Sequence, residues 1–119
     1  MTRIGWSLLA AIGWSAPALA QEAPGDGRAL YEQHCAGCHA IDANRVGPAH
    51  RGVFGRKAGL APGFRYSDAV KRSGVVWDAK SLDAWLADPE RLIPGQKMYA
   101  EFEDPAVRRA IIEFLRTQR

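Results

Sequence analysis

Two cysteines and a histidine stand together in the segment Cys35-Ala-Gly-Cys38-His39, and their types and spacing are suited to chemistry. In such a segment the two thiols can bond to the vinyl groups of a haem as thioethers, while the imidazole reaches the iron. Rival interpretations are a thioredoxin-like redox pair, a local disulfide or half of a zinc site. The sequence has no second Cys pair to complete a zinc site, and no strand is predicted before the motif. The spacing therefore predicts one covalent haem c, with His39 as an iron ligand.

The second axial ligand of such an iron decides whether the protein transfers electrons or binds a small molecule. Met98 is the only methionine besides Met1. It follows Pro94-Gly95, a pair that predicts a tight turn able to present the thioether. The alternative is an ordinary methionine that fills a gap in the core. Because Met98 is predicted in a turn rather than on a helix face, we favour it as the second ligand.

Two other histidines compete with Met98 for the iron. His34 directly precedes the motif and cannot easily reach the haem face opposite His39, so we expect it to be exposed to solvent. His50 lies in a long loop predicted to wrap the haem and stays open as an alternative axial ligand.

Residues 1–20 have the pattern of a secretory signal. Arg3 supplies the basic start, residues 4–12 are mostly apolar, and Ala18-Leu19-Ala20 resembles a cleavage site before Gln21. The alternative is an uncleaved membrane anchor, but a spanning helix needs about 20 predominantly apolar residues, and small and polar residues interrupt this run. We therefore expect cleavage after residue 20 and export to the periplasm of a bacterium.

The exported part, residues 21–119, is long enough for one domain and too short for two. Arg3 is the only charged residue of the signal, so its removal lowers the formal net charge from +3 to +2. This mild excess does not indicate a nucleic-acid partner. Since both cysteines belong to one motif, no disulfide framework stabilises the chain, and a haem would supplement its small core.

The predicted secondary structure of residues 21–119 is helical. N-capping residues or proline signals predict helix starts at Asp26, at Ser67, at Asp78 or Ser81, and at Asp104-Pro105. The third helix is expected to stop before Pro89. Residues 40–65 are rich in Gly and Pro, so we expect a long loop there that wraps a cofactor. The apolar face predicted for the last helix consists of Val107, Ile111, Phe114 and Leu115.

Together, these features resemble those of class I c-type cytochromes, and especially the mitochondrial-like cytochrome c branch with its bacterial relatives. The resemblance covers nearly all of residues 21–119. It is carried by Gly27-x-x-x-Tyr31 before the Cys motif, by the run from Gly47 to Ala69, and by Ile111 and Phe114. It implies an all-α, single-domain cytochrome c fold, in which short helices and loops surround one haem. The first and last helices would cross at Gly27.

The resemblance also implies roles for individual residues. The carbonyl of Pro48 would accept a hydrogen bond from the His39 ring and so orient it. The positions matching those around the haem propionates all carry N–H or O–H donors, and they are Arg56, Tyr66, Ser67 and Trp77. Trp85 stands where the family has a tyrosine that donates towards the methionine sulfur. Other departures from the family pattern are a shortened segment between His39 and Pro48, and the residues His50, Val70, Gln96 and Ala100.

The function implied by the resemblance is that of a soluble, monomeric electron carrier rather than an enzyme, with His39 and Met98 as axial ligands. Donors would be quinol-oxidising complexes, and acceptors would be oxidases, peroxidases or photosynthetic reaction centres, on which the carrier docks peripherally. Six basic residues could form a ring around the haem edge, or could instead be scattered, solvated charges; they are Arg51, Lys57, Arg65, Lys71, Arg72 and Lys97. The alternatives are a peroxidase or gas sensor with a labile Met98, and a haem subunit of a periplasmic dehydrogenase.

Overall fold

The computed structural model describes residues 13–16 and 26–119, and the latter range forms five helices joined by turns and loops. The helices are α1 Gly27–His34, α2 Asp68–Arg72, α3 Ala79–Ala87, α4 Pro89–Leu92 and α5 Pro105–Thr117. Within these described ranges the only β-type pairing is a single antiparallel bridge between Lys57 and Val76. The all-α fold class is thereby confirmed.

The predicted signal segment lies outside the described residues, apart from 13–16. Among the helices that are described, none has both the length and the apolar character needed to cross a membrane.

The predicted helix starts are confirmed, and a side-chain oxygen caps each of them. Asp26 accepts a hydrogen bond from the backbone N–H of Arg28, Ser67 from Val70, Asp78 from Ser81 and Asp104 from Ala106, over 2.8–3.2 Å. These caps satisfy backbone donors that have no partner within the first helical turn. At the third helix Asp78 is the cap, and Ser81 completes a capping box with it.

Helix α4 was not predicted. Pro89 does end α3, as expected, but it also occupies the first turn of a new helix, where its missing N–H costs nothing. The Asp88 side chain caps that helix by accepting from the N–H of Arg91 at 3.1 Å. Helix α4 thus follows α3 after a single residue, and the loop that carries Met98 follows α4.

Helices α1 and α5 cross at Gly27, as the resemblance implied. A Cβ atom at this position would lie 2.2 Å from the carbonyl oxygen of Ala110, so only glycine allows the two backbones to approach this closely. Tyr31 on α1 packs against Phe114 with ring centroids 5.0 Å apart, and Ile111 is completely buried. Helix α3 packs on the other side of α5. The core therefore lies between α1, α3 and α5.

The Gly- and Pro-rich segment 40–65 forms turns, as predicted, and contains no helix. Backbone hydrogen bonds attach it to the rest of the molecule: Gly52 N–H donates to Gln118 O, Gly55 N–H to Trp77 O and Ala58 N–H to Val75 O, over 2.6–2.7 Å. The segment thus closes one side of the core and leaves a cavity between itself and the helices.

Candidate haem site

The cavity between the wrapping loop and the helices has a volume of about 460 Å³. Cavities that hold small molecules and cofactors fall in the range of ~300–1,000 Å³ and are mostly apolar. Apolar side chains from three parts of the chain line its walls, among them Val53, Leu82, Leu86, Ile111 and Leu115. The candidate haem-binding residues named from the sequence all line this cavity as well, and they are Cys35, Cys38, His39, Pro48, Arg56, Tyr66, Ser67, Trp77, Trp85 and Met98.

The cysteine motif begins where α1 ends. Cys35 is the C-cap of the helix and is half-buried, whereas Cys38 is exposed. The His39 N–H donates to the carbonyl of Cys35 at 2.9 Å, and this turn brings the imidazole to the cavity wall. Burial, and secondarily the neighbouring Cys38, raises the pKa of the Cys35 thiol to about 11. A redox-active thiolate needs a lowered pKa, so this shift argues against a thioredoxin-like pair.

The orientation of the His39 ring is fixed by its neighbours. Nδ1 lies 2.8 Å from the carbonyl oxygen of Pro48, the contact that the resemblance implied. Burial lowers the pKa of His39 despite this hydrogen bond, so the ring is neutral and Nδ1–H is the donor. The other nitrogen, Nε2, is then the one able to bind a metal.

Gly47 provides the space that this ring occupies. A Cβ atom at residue 47 would lie 2.1 Å from Cε1 of His39 and 2.6 Å from Nδ1. No other amino acid could take this position without displacing the imidazole. The sequence gives only a Gly-Pro pair here, and the close approach of a ring could not be predicted from it.

His50 packs beside His39 rather than across the cavity. The two rings are stacked, with centroids 4.0 Å apart and planes inclined by 21°. The Nδ1 atom of His50 is also 2.8 Å from the hydroxyl of Tyr31. His50 therefore supports the His39 side of the site, and this placement argues against its alternative role as the opposite axial ligand.

The Tyr31–His50 pair is uncharged. Burial, and then the nearby Cys35, raises the pKa of Tyr31 to about 12. Burial, followed by the electrostatic influence of the neighbouring His39 and Arg56, lowers the pKa of His50 to about 3. At neutral pH the phenol keeps its proton and the imidazole is neutral, so the direction of this hydrogen bond follows from which of the two ring nitrogens of His50 carries the single proton.

A group of hydrogen-bond donors lies on another part of the cavity wall. The guanidinium of Arg56 is held by the carbonyl oxygens of Arg51, at 3.0 Å, and Ala49, at 3.4 Å. Trp77 is buried and packs edge-on against Trp85 with ring centroids 5.3 Å apart.

Two hydroxyl groups complete the donor set. The Tyr66 oxygen accepts from the N–H of Ala61 at 3.0 Å, and the Ser67 oxygen accepts from the N–H of Val70 at 3.2 Å. Since each hydroxyl acts as acceptor in these bonds, its own proton is available to a further acceptor. Donors beside an apolar cavity match the need of a carboxylate withdrawn from water, and the donor set therefore fits haem propionates.

Met98 approaches the cavity from the loop after α4. The predicted turn is confirmed: Gln96 N–H donates to Ile93 O at 3.1 Å, and Gly95 has a φ of +90°. With Pro94 before it, this is the arrangement of a type II turn. Met98 is half-buried and packs against the core. A thioether, an imidazole nitrogen and two thiols thus line one apolar cavity, and this combination fits a covalently attached haem.

His34 is exposed, as expected, and its ring packs edge-on against Phe102 with centroids 5.3 Å apart. It lies at the rim of the cavity, on the segment that carries the cysteine motif.

The proposed ring of basic residues is only partly present. Lys57 and Lys97 are exposed and lie at the cavity. Arg51 forms an ion pair with Asp42, and Lys71 pairs with Asp68 at 3.3 Å, so their charges are largely neutralised. Arg65 and Arg72 are exposed but do not line the cavity, so the members of the proposed ring that lie at it are Lys57 and Lys97.

Comparison with known proteins agrees with this site. The family model for cytochrome c matches residues 25–119. Cytochrome c2 of Rhodomicrobium vannielii is 42% identical over 113 residues, which cover 92% of this chain and 90% of that protein. Cytochrome c2 iso-2 of Magnetospirillum molischianum is 46% identical over 86 residues, covering 70% of this chain and 89% of that one.

Solved structures give the same result for the fold. The structure of cytochrome cH from Methylobacterium extorquens superimposes with a TM-score of 0.74 at 43% identity, covering 78% of this chain and 99% of that one. The ferricytochrome c2 from Rhodopseudomonas palustris gives a TM-score of 0.73 at 34% identity, over 78% and 96% of the two chains. The chain therefore belongs to the cytochrome c family, as a cytochrome c2-like electron carrier that binds one covalent haem c through Cys35 and Cys38.

Proposed function

We propose that this protein is a periplasmic electron carrier, exported with loss of residues 1–20, in which His39 and Met98 bind the iron in both oxidation states. The observation that carries the proposal is that the free nitrogen of His39 and the thioether of Met98 line the same apolar cavity. It is an electron carrier and not an enzyme, because both axial positions would be filled by the protein.

The residues of the chain account for such a role. When bound, the haem supplies a one-electron Fe(III)/Fe(II) couple. Pro48 and Gly47 keep the His39 ring in one orientation, so the ligand does not have to reorganise between the two states. Met98 contributes a thioether, which favours reduced iron and raises the potential. The donor set of Arg56, Tyr66, Ser67 and Trp77 would hold the propionates within the apolar walls.

The partners that suit this role are a quinol-oxidising complex of the respiratory chain as donor and an oxidase, peroxidase or reaction centre as acceptor. Exposed apolar side chains, Val46 and Tyr99, lie at the cavity together with Lys57 and Lys97. A small apolar patch with two cations suits brief docking of a monomer on an acidic surface of a membrane complex.

The decisive test is the visible spectrum and the potential of the purified holoprotein. We expect the oxidised wild type to show the weak red band assigned to iron–sulfur charge transfer. Met98→Ala should keep its covalent haem, lose that band and have a sharply lower potential. An unchanged potential in this variant would exclude Met98 as the ligand.

Two other results would redirect the proposal. A missing band in the wild type, together with tight binding of carbon monoxide by the reduced form, would indicate the peroxidase or sensor alternative.

Export is tested separately by N-terminal sequencing of the mature protein from a periplasmic fraction, which should begin at Gln21. A first residue at Met1 would show that the signal is retained.

A further inference from the structure

We propose that Gln96 and Glu90 are positioning residues that hold the Met98 loop closed and make Met98 slow to leave the iron. The proposal rests on the proposed function, since it takes Met98 as the axial ligand. It names the side chains that determine how firmly this ligand is held.

Gln96 occupies an unusual position for a polar side chain. It is buried, with only 5% of its surface exposed, and a buried amide needs partners for both its oxygen and its nitrogen. The oxygen Oε1 accepts a hydrogen bond from the backbone N–H of Met98 itself. The nitrogen Nε2 donates to Oε2 of Glu90 at 3.3 Å. The Gln96 side chain therefore links the ligand residue to α4.

Glu90 secures the same loop at a second point. Its other oxygen, Oε1, accepts from the N–H of Gly95 at 2.9 Å. Glu90 belongs to the first turn of α4. Pro89, the residue before Glu90 in this helix, is fully buried. One carboxylate thus bonds both the turn and the amide that holds Met98. We call these three hydrogen bonds the Glu90–Gln96 network.

The far end of the loop is attached independently of this network. Phe102 N–H donates to Leu86 O at 2.9 Å, and the guanidinium of Arg108 donates to Phe102 O at 2.7 Å and to Asp83 Oδ1 at 2.7 Å. Between the two attachments Tyr99 is 90% exposed and contributes little packing. Besides the packing of Met98 against the core, the hydrogen bonds that attach the loop near Met98 to α4 are those of the Glu90–Gln96 network.

Departure of Met98 from the iron requires the loop to move, and this movement would break the bond between Gln96 and the Met98 N–H. The buried amide would then lose a partner, which opposes opening. Gln96 is also one of the residues at which this chain departs from the pattern of the family that it resembles.

The experiment measures imidazole binding to the oxidised holoprotein by stopped flow. At saturating imidazole the observed rate becomes limited by the departure of Met98. Gln96→Leu preserves the buried volume but removes both hydrogen bonds, and we expect this limiting rate to rise by about tenfold. Glu90→Ala leaves the bond to Met98 N–H in place, so we expect a rise of about threefold.

Matched controls and a double variant separate positioning from general destabilisation. Gln33→Leu and Glu32→Ala change the same residue types on the exposed surface of α1 and should leave the limiting rate unchanged. In Gln96→Leu/Glu90→Ala the increase should be smaller than the product of the single effects, because the two residues share a hydrogen bond. Urea unfolding of each variant reports global stability.

The outcomes distinguish this inference from the proposed function. If the wild type lacks the iron–sulfur band, Met98 is not the ligand and the proposed function fails. If the wild type has the band but the limiting rate of both variants equals that of the controls, this inference alone is wrong. A rate increase that only follows the loss of urea stability, in controls as well as variants, would also overturn it. Should Gln96→Leu not fold, the exposed Glu90→Ala decides.

Discussion

The two sides of the haem cavity are built in different ways. On the His39 side, the ring of the proposed ligand is held by a backbone carbonyl, by close packing on Gly47 and by the stacked ring of His50. On the Met98 side, the ligand belongs to a loop held by polar side chains, with Tyr99 exposed beside it. The first proposed ligand is thus held in one orientation by its neighbours, whereas the second could leave by a local opening that does not unfold the helices.

The largest effect on this comparison is expected from the variant Gly47→Ala. The new Cβ would collide with the His39 ring and force it away from Pro48, and such overpacking costs ~1–3 kcal/mol of unfolding free energy or more. Urea unfolding of the holoprotein should show this loss. Gly37→Ala, in the cysteine motif, is the matched control. Its new Cβ would have no atom within 4 Å, so this variant should lose much less stability. Equal stability of the two variants would show that the His39 ring is not tightly confined.

A smaller loss is expected for Tyr31→Phe. This change removes the hydroxyl that is hydrogen-bonded to Nδ1 of His50 and leaves a buried ring nitrogen without a partner, at a cost of about 1 kcal/mol, the lower end of the range for a buried group that loses its partner. The limiting rate of imidazole binding should not change, because the loss falls on the His39 side. In a His50→Leu background the same substitution should cost less, since no nitrogen is left unsatisfied. A rate increase as large as that of Gln96→Leu would mean that the two sides are coupled.

The local part of this architecture could be predicted from the sequence. Capping residues and prolines act within one turn of the chain, so Asp26, Ser67, Asp78 and Asp104 mark the helix starts in the structure. The turn before Met98 is likewise encoded by its own Pro-Gly pair. Helix α4 is not predicted, because a proline after a helix indicates the end of that helix and does not by itself indicate that a new helix begins.

Contacts between distant residues could not be predicted in the same way. From the sequence alone, His50 is a possible second ligand. The side of the cavity on which it lies depends on its contact with Tyr31, nineteen positions earlier. In the sequence Gln96 is only a departure from the family pattern. Nothing there indicates that its side-chain oxygen accepts a hydrogen bond from the N–H of Met98. The sequence thus predicts which residues line the site, and the structure adds which of them hold the two proposed ligands.

The smallest expected effect concerns the exposed surface of the Met98 side. Lys97→Glu reverses a charge beside Met98 without altering the Glu90–Gln96 network, so the spectrum and the imidazole rate should stay those of the wild type. Electron transfer to an acidic redox partner should slow on the order of threefold at low ionic strength, with the difference fading as salt screens the charge. Lys80→Glu, on α3 and away from the cavity lining, is the matched control. If both reversals slow the reaction equally, net charge and not the cavity mouth steers docking; if Lys97→Glu also speeds imidazole binding, the loop is held by surface charge as well as by its buried amide.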